Sequence, residues 1–199
     1  MRISAEAKEK THRRILDAAQ RLFRTRGFDQ TSTRDLSSAA GIATGTLFNY
    51  FPTKESLALA IVAEALEKAR GDFESRLRPD ASLDEALFDH VAAGLRRLAP
   101  HHQWVTRVMD GSLGPVSAGS SPPADGGDRI RLEHLATVRA VIAVRGPAPP
   151  PVSVQLYWTL YLGLLAFWSR DTSPRQEDTL VLLDESMRLF VQSLAHVND

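Results

Sequence analysis

Residues 44–51 read TGTLFNYF, and Pro52, Thr53 and Lys54 follow. The stretch holds no nucleophile beside a base and no cluster of metal ligands. It offers close approach and hydrogen bonding instead. On a helical wheel, Leu47, Phe48 and Phe51, with Thr44 between them, span one arc that is mostly core. Gly45, Thr46, Asn49 and Tyr50 span the opposite arc. Those four suit a duplex: glycine and threonine let the backbone come near, a threonine methyl can meet a thymine methyl, and Asn49 and Tyr50 can reach phosphates or base edges. An ordinary amphipathic helix with a polar outer face satisfies the same spacing. Lys54 adds to the first reading. A cation just after the cap Thr53 sits at the positive end of a helix dipole, mildly unfavourable unless an anion such as a phosphate joins it.

Other chemistries find less support. There is no cysteine, which excludes disulfides, thiolate metal sites and cysteine nucleophiles and fits a reducing cytoplasm. His101 and His102 point to different helix faces with no carboxylate at ligand spacing, so no metal site is expected. GSLGP and AGSSPP do not form a nucleophile elbow, and no G-x-x-x-x-G-K phosphate loop is present. The expectation is a non-enzyme without a cofactor.

The elements that would position residues 44–51 are helical, and the whole chain reads as all-α with about nine helices. Arg13 to Thr25 places Ile15, Ala19, Leu22 and Phe23 on one face, and Gly27 with Phe28 forms a C-cap and its hydrophobic contact. Ser32 or Thr33 caps a short second helix, RDLSSAA, that ends at Gly41. Ala39 and Ala40 allow close helix approach, and Gly41 permits the turn. The third helix stops at Pro52. A helix, a glycine turn and a second helix make a helix-turn-helix, whose second helix enters the major groove.

Beyond Pro52, Thr53 caps a long fourth helix. Ser82 and Glu85 form a capping box for a fifth ending near Pro100, and a sixth runs from about His102 to Ser112. Residues 114–127, GPVSAGSSPPADGG, read as a linker. A seventh helix covers Asp128 to Val144. GPAPPP then precedes two long helices, with Pro151 and Pro174 in first turns and Ser173 as a cap. The domain boundary falls near residues 52–54, giving a DNA-binding head over 1–53 and a body over 54–199.

Charge follows that division. Net charge is zero, yet residues 1–55 carry ten Lys/Arg against six acids, and the remainder carries fourteen against eighteen. A basic head on an acidic body is expected where one end meets a polyanion. The charged opening MRISAEAKEKTHRR has no apolar run of the secretory kind.

Residues 14–61, RILDAAQRLFRTRGFDQTSTRDLSSAAGIATGTLFNYFPTKESLALAI, resemble the DNA-binding domain of the TetR family of bacterial one-component transcription regulators. The most specific parts are AA..LF....GF, T.RD...AAGI and GTLFNYFPTKESL. The resemblance implies base contacts from Thr44, Gly45, Thr46 and Phe48. It places Thr33, Arg34, Asn49, Tyr50 and Lys54 near the DNA backbone, with Arg34 sometimes reaching a base. Ala43 and Phe48 stand where the family often has serine and tyrosine, and each lacks the hydroxyl.

In the body, residues 152–169, VSVQLYWTLYLGLLAFWS, carry no charge. That length suits a membrane span, but Ser153, Gln155, Thr159 and the preceding prolines argue for a helix buried on two sides, and no membrane partner is expected. Leu156, Leu160, Gly163 and Phe167 form one stripe of it. Leu183, Met187, Phe190 and Leu194 repeat at three- and four-residue intervals along the last helix. Both stripes are expected to form the interface of a homodimer, as the resemblance also implies. A two-fold dimer would bind a palindromic double-stranded DNA operator. The resemblance further implies a pocket for a small-molecule effector among the middle helices. By composition the candidates are Phe88, His90, Trp104, Met109, Tyr157, Trp158 and Tyr161, with plain core packing as the alternative for each. The expected function is that of a transcriptional regulator, more specifically a repressor released by an effector.

Overall fold

The computed structural model describes residues 4–113, 126–146 and 148–197. The described residues fold into α-helices and short 3₁₀ turns without a strand. Most of the linker-like stretch 114–127 lies outside them, and its last two residues belong to a helix.

Three helices make the head: α1 (Ala5–Arg26), α2 (Thr33–Ala40) and α3 (Thr44–Tyr50). α1 begins earlier than its apolar pattern suggests, because Ser4 accepts from the Ala7 N–H and supplies a cap. At its other end Gly27 takes a positive φ of 86°, and Phe28 folds back so that its ring meets Phe23 edge-on at 5.1 Å. Ser32 and Asp35 form a reciprocal capping box at the start of α2. Gly41 ends α2 in the left-handed conformation, φ 62° and ψ 44°. A Cβ at Gly41 would lie 2.8 Å from the Arg14 guanidinium, which donates to the carbonyls of Ala40 and Gly41. The left-handed backbone favours glycine there, and a larger residue would also have to push the movable end of Arg14 aside.

The body comprises α4 (Lys54–Arg76), α5 (Leu83–Leu98), α6 (His102–Leu113), α7 (Gly126–Arg145), α8 (Pro151–Trp168) and α9 (Glu177–Val197). Thr53 caps α4, and Ser82 with Glu85 boxes the start of α5. Pro174 does not begin the α-helix: residues 174–176 form a 3₁₀ turn with Arg175 and Gln176 at positive φ, and α9 starts at Glu177. Asp171 decides this start. Its carboxylate accepts from the Thr179 N–H and hydroxyl and from the Ser173 N–H, which holds it well below the usual carboxylate range.

α4 is the shared element. It packs against α1, α5, α6 and α7, while α9 lies across α5 and α8. The buried side chains form one continuous cluster from Ile15 in the head to Leu194 in α9. An ion-pair chain on the surface also ties α1 to α4: Arg13 bonds Glu64 at 2.7 Å, and Lys68 bonds the same carboxylate at 2.6 Å. The uncharged stretch of α8 is a packed helix of this bundle. No helix among the described residues is long and apolar enough to cross a membrane.

Candidate nucleic-acid interface and interior cleft

α3 is fixed to the head by two large side chains. Leu47 is buried within the helix, and Phe51 is buried just beyond it, where the backbone has become extended. Because Phe51 has left the helix, its position on a wheel says little about which arc faces inward. The wheel therefore misplaces Phe48 on the core arc. Phe48 is 45% exposed, beside the exposed Gly45 and Asn49. Burying Leu47 turns those three residues outward together, with half-buried Thr46 at the edge.

Thr44 and Tyr50 flank this face. The Thr44 hydroxyl lies 3.0 Å from that of Ser37, joining α3 to α2. Tyr50 is half-buried, and its ring centroid is 6.3 Å from that of His12 on α1, which also lies tilted against Phe51 at 5.1 Å. Arg34 is exposed in the first turn of α2 next to half-buried Thr33. The outer surface of the head thus combines a short polar helix, a solvent-facing phenyl ring and an arginine.

Lys54 differs from its expected placement. Rather than projecting as a cation from the α4 N-terminus, its ammonium donates to the carbonyls of Phe28 at 2.9 Å and Thr31 at 3.2 Å. It also lies 4.2 Å from the centroid of the Phe28 ring. The loop between α1 and α2 turns its carbonyls toward α4, and these supply the negative partner that an external anion was expected to provide.

The dimer-interface residues divide into two groups. On α8, Leu156 and Phe167 are 41% and 43% exposed, Gly163 is exposed and Leu160 is half-buried, so this stripe faces outward. On α9, Leu183, Met187, Phe190 and Leu194 are buried inside the chain. This corrects the expectation that they face a partner: their spacing marks the seam α9 makes with α5 and α8. Leu180, Val181, Leu182 and Leu189 are large apolar residues that α9 leaves exposed.

The ring-bearing candidates of the body also separate. Trp104 joins the head, meeting Phe23 at 5.4 Å and stacking on Phe28 at 6.0 Å, next to an Arg107–Asp29 ion pair. Phe88 lines a surface groove with Leu180 and Val181, and Met109 is buried apart from the cleft described next. His90, Tyr157, Trp158 and Tyr161 do come together, around a residue the composition did not single out, His134. The His134 imidazole lies 3.0 Å from the Tyr157 hydroxyl, stacks on Tyr161 at 4.2 Å and is 4.8 Å from His90. Its signal in the sequence was its register: it shares the inward face of α7 with Ile130, Val138 and Val141.

His90, His134 and Tyr161 of this cluster line a cleft of ≈ 30 Å³ bounded by α4, α5, α7 and α8. Leu66 and Val91 are among its walls, and Glu67, Arg70 and Glu133 stand among the residues that line it. His90 is 8% exposed, and neither of its ring nitrogens has a hydrogen-bond partner; the indole N–H of Trp158 also lacks one. Burial, and secondarily the charge of Arg70, pushes the His90 pKa down to about 4. Burial first and the neighbouring His90 second drive His134 well below its ordinary value, and burial raises Tyr157 and Tyr161. The cluster is uncharged at neutral pH.

The family described as "Bacterial regulatory proteins, tetR family" matches residues 15–61, which span α1, α2, α3 and the start of α4. The HTH-type transcriptional regulator EthR of Mycolicibacterium smegmatis is 38% identical over 61 residues, 31% of this chain and 28% of that protein. The chain therefore spans less than a third of that relative's length. A TetR transcriptional regulator from Rhodococcus sp. RHA1 has the same fold, with a TM-score of 0.67 over 92% of this chain and 96% of that one at 17% identity. Thermus thermophilus FadR, a transcriptional repressor solved in complex with lauroyl-CoA, matches with a TM-score of 0.58 and 24% identity over 90% of this chain and 93% of that one.

Proposed function

The chain belongs to the tetR family of bacterial regulatory proteins through residues 15–61, and on that premise we propose that it is a cytoplasmic transcriptional repressor that binds a palindromic DNA operator as a homodimer. The observation that carries this reading is the outward face of α3. Gly45, Thr46, Phe48 and Asn49 present small, polar and flat groups on a helix whose opposite side is locked by Leu47. In this reading residues 1–53 are the reading head and residues 54–199 the body. Thr44 and Tyr50 flank the base-reading face, and Thr33 and Arg34 meet the DNA backbone beside it. Lys54 acts on the interface by holding the loop that precedes α2.

The partner surface is the outward face of α8, with Leu156, Leu160, Gly163 and Phe167, continued by Val181, Leu182 and Leu189 of α9. Exposed apolar side chains on two adjacent helices support a four-helix seam between copies. A small-molecule effector in the body would weaken operator binding by preferring a different separation of the two heads. Thermus thermophilus FadR, with its bound lauroyl-CoA, is a repressor of this fold that carries a ligand. Trp104 gives the body a packed route to the head through Phe23 and Phe28. Selection of genomic fragments by the purified protein tests the reading. Enrichment of an inverted repeat is expected, and enrichment of no sequence would contradict it.

A further inference from the structure

We propose that the cleft ending on His90 binds a small, flat, uncharged molecule carrying one hydroxyl group, the chemistry of a phenol, with the His90 imidazole as its polar anchor. The proposal rests on the reading of the body as an effector domain and names the class of ligand it takes. His90 is the starting point. A buried imidazole with both nitrogens unpartnered is destabilising, whereas an apolar side chain of similar size would fill the same place without an unmet hydrogen bond. A ligand hydroxyl removes that penalty for whichever nitrogen it meets, because it donates to the bare nitrogen or accepts from the protonated one.

The surroundings narrow the rest of the molecule. Both histidines are neutral at physiological pH, so neither offers an ionised ligand a counter-charge at the inner end. Glu67, Glu133 and Arg70 also line the cleft, and with Arg129 paired to Glu133 at 3.7 Å the two carboxylates meet two guanidiniums, which leaves no net positive charge to recruit an anion. Flatness follows from the rings that line the cleft, His90, His134 and Tyr161, the last two stacked at 4.2 Å. The cleft lies between α4, α5, α7 and α8, and on its α5 wall Gly94 leaves no side chain; a Cβ there would meet Leu66 at 3.5 Å. At ≈ 30 Å³ it has room for about one water molecule. A ring enters by displacing the half-buried side chains of Leu66 and Arg70.

The test uses the full chain, without DNA, and three probes: phenol, toluene of nearly the same shape, and benzoate. Binding is followed by tryptophan emission, thermal shift and the ¹⁵N resonances of the His90 ring. Phenol is expected to saturate one site per chain and move the His90 nitrogen resonances, with toluene and benzoate each weaker by about tenfold or more. His90→Phe is expected to melt higher than wild type and to bind phenol and toluene equally. The proposal is overturned if phenol does not saturate, if toluene or benzoate matches it, or if His90→Phe keeps the preference. Should that variant not fold, the three probes and the His90 resonances of the wild type decide alone. Operator binding is measured separately, so loss of the phenol site leaves the DNA-binding reading standing, and the reverse also holds.

Discussion

The ammonium of Lys54 lies 2.9 Å from the carbonyl oxygen of Phe28 and 4.2 Å from the centroid of the same residue's ring. One side chain from the first turn of α4 thereby closes the loop that delivers Ser32, Thr33 and Arg34 to the start of α2. A residue placed like this holds the loop that leads into the surface proposed to face DNA.

Lys54→Met keeps the aliphatic stem and removes the charge-assisted hydrogen bonds. The expected loss is about 1–3 kcal/mol of stability, read by urea denaturation. Affinity for DNA is expected to fall with the slope of log K against log salt unchanged. A slope smaller by about one would show that Lys54 neutralises a phosphate instead.

Acid destabilises the body through its buried histidines. His90 has its pKa lowered from 6.5 to about 4, so between those values the unfolded chain binds a proton that the folded chain refuses. Stability is therefore full above pH 6.5 and falls as the pH drops toward 4, by on the order of 3 kcal/mol for this group. His134 acts in the same direction. Urea denaturation of wild type and His90→Phe, at about pH 7 and about pH 4.5, is expected to show a smaller decline in the variant. Equal declines would remove His90 as a cause.

The two apolar faces of the C-terminal helices respond differently to substitution. Leu156→Glu, Phe167→Glu and Leu189→Glu alter exposed positions, and each is expected to shift sedimentation from dimer toward monomer with helix content retained. Met187→Ala instead removes a buried side chain, and about 2–5 kcal/mol of stability should be lost. If the exposed variants stay dimeric, the partner surface lies elsewhere.

The sequence was most legible where local chemistry decides. Gly27, Gly41, Thr53 and the Ser82–Glu85 box each act within a few residues, and each ends or starts a helix where its type predicts. Legibility failed where the partner is distant in the chain. The spacing of Leu183, Met187, Phe190 and Leu194 defines a face of α9, but only the packing against α5 and α8 shows that this face is spent inside the chain. Lys54 reads as a free cation until the 28–31 loop is folded beside it. Phe48 depends on where the helix stops, since Phe51 reaches the core from extended backbone. His134 gains its meaning from His90, a residue on another helix.

The central claim, that the outward face of α3 reads DNA, is tested most directly by the affinity of the purified protein for its selected operator and for a scrambled duplex across a salt series. Wild type is expected to prefer the operator by about a thousandfold or more, with log K falling as log salt rises. Thr46→Ala and Asn49→Ala are each expected to reduce that preference by about 1–3 kcal/mol per head while leaving the fold intact. Equal affinity for operator and scrambled duplex, or variants that discriminate as well as wild type, would contradict the account.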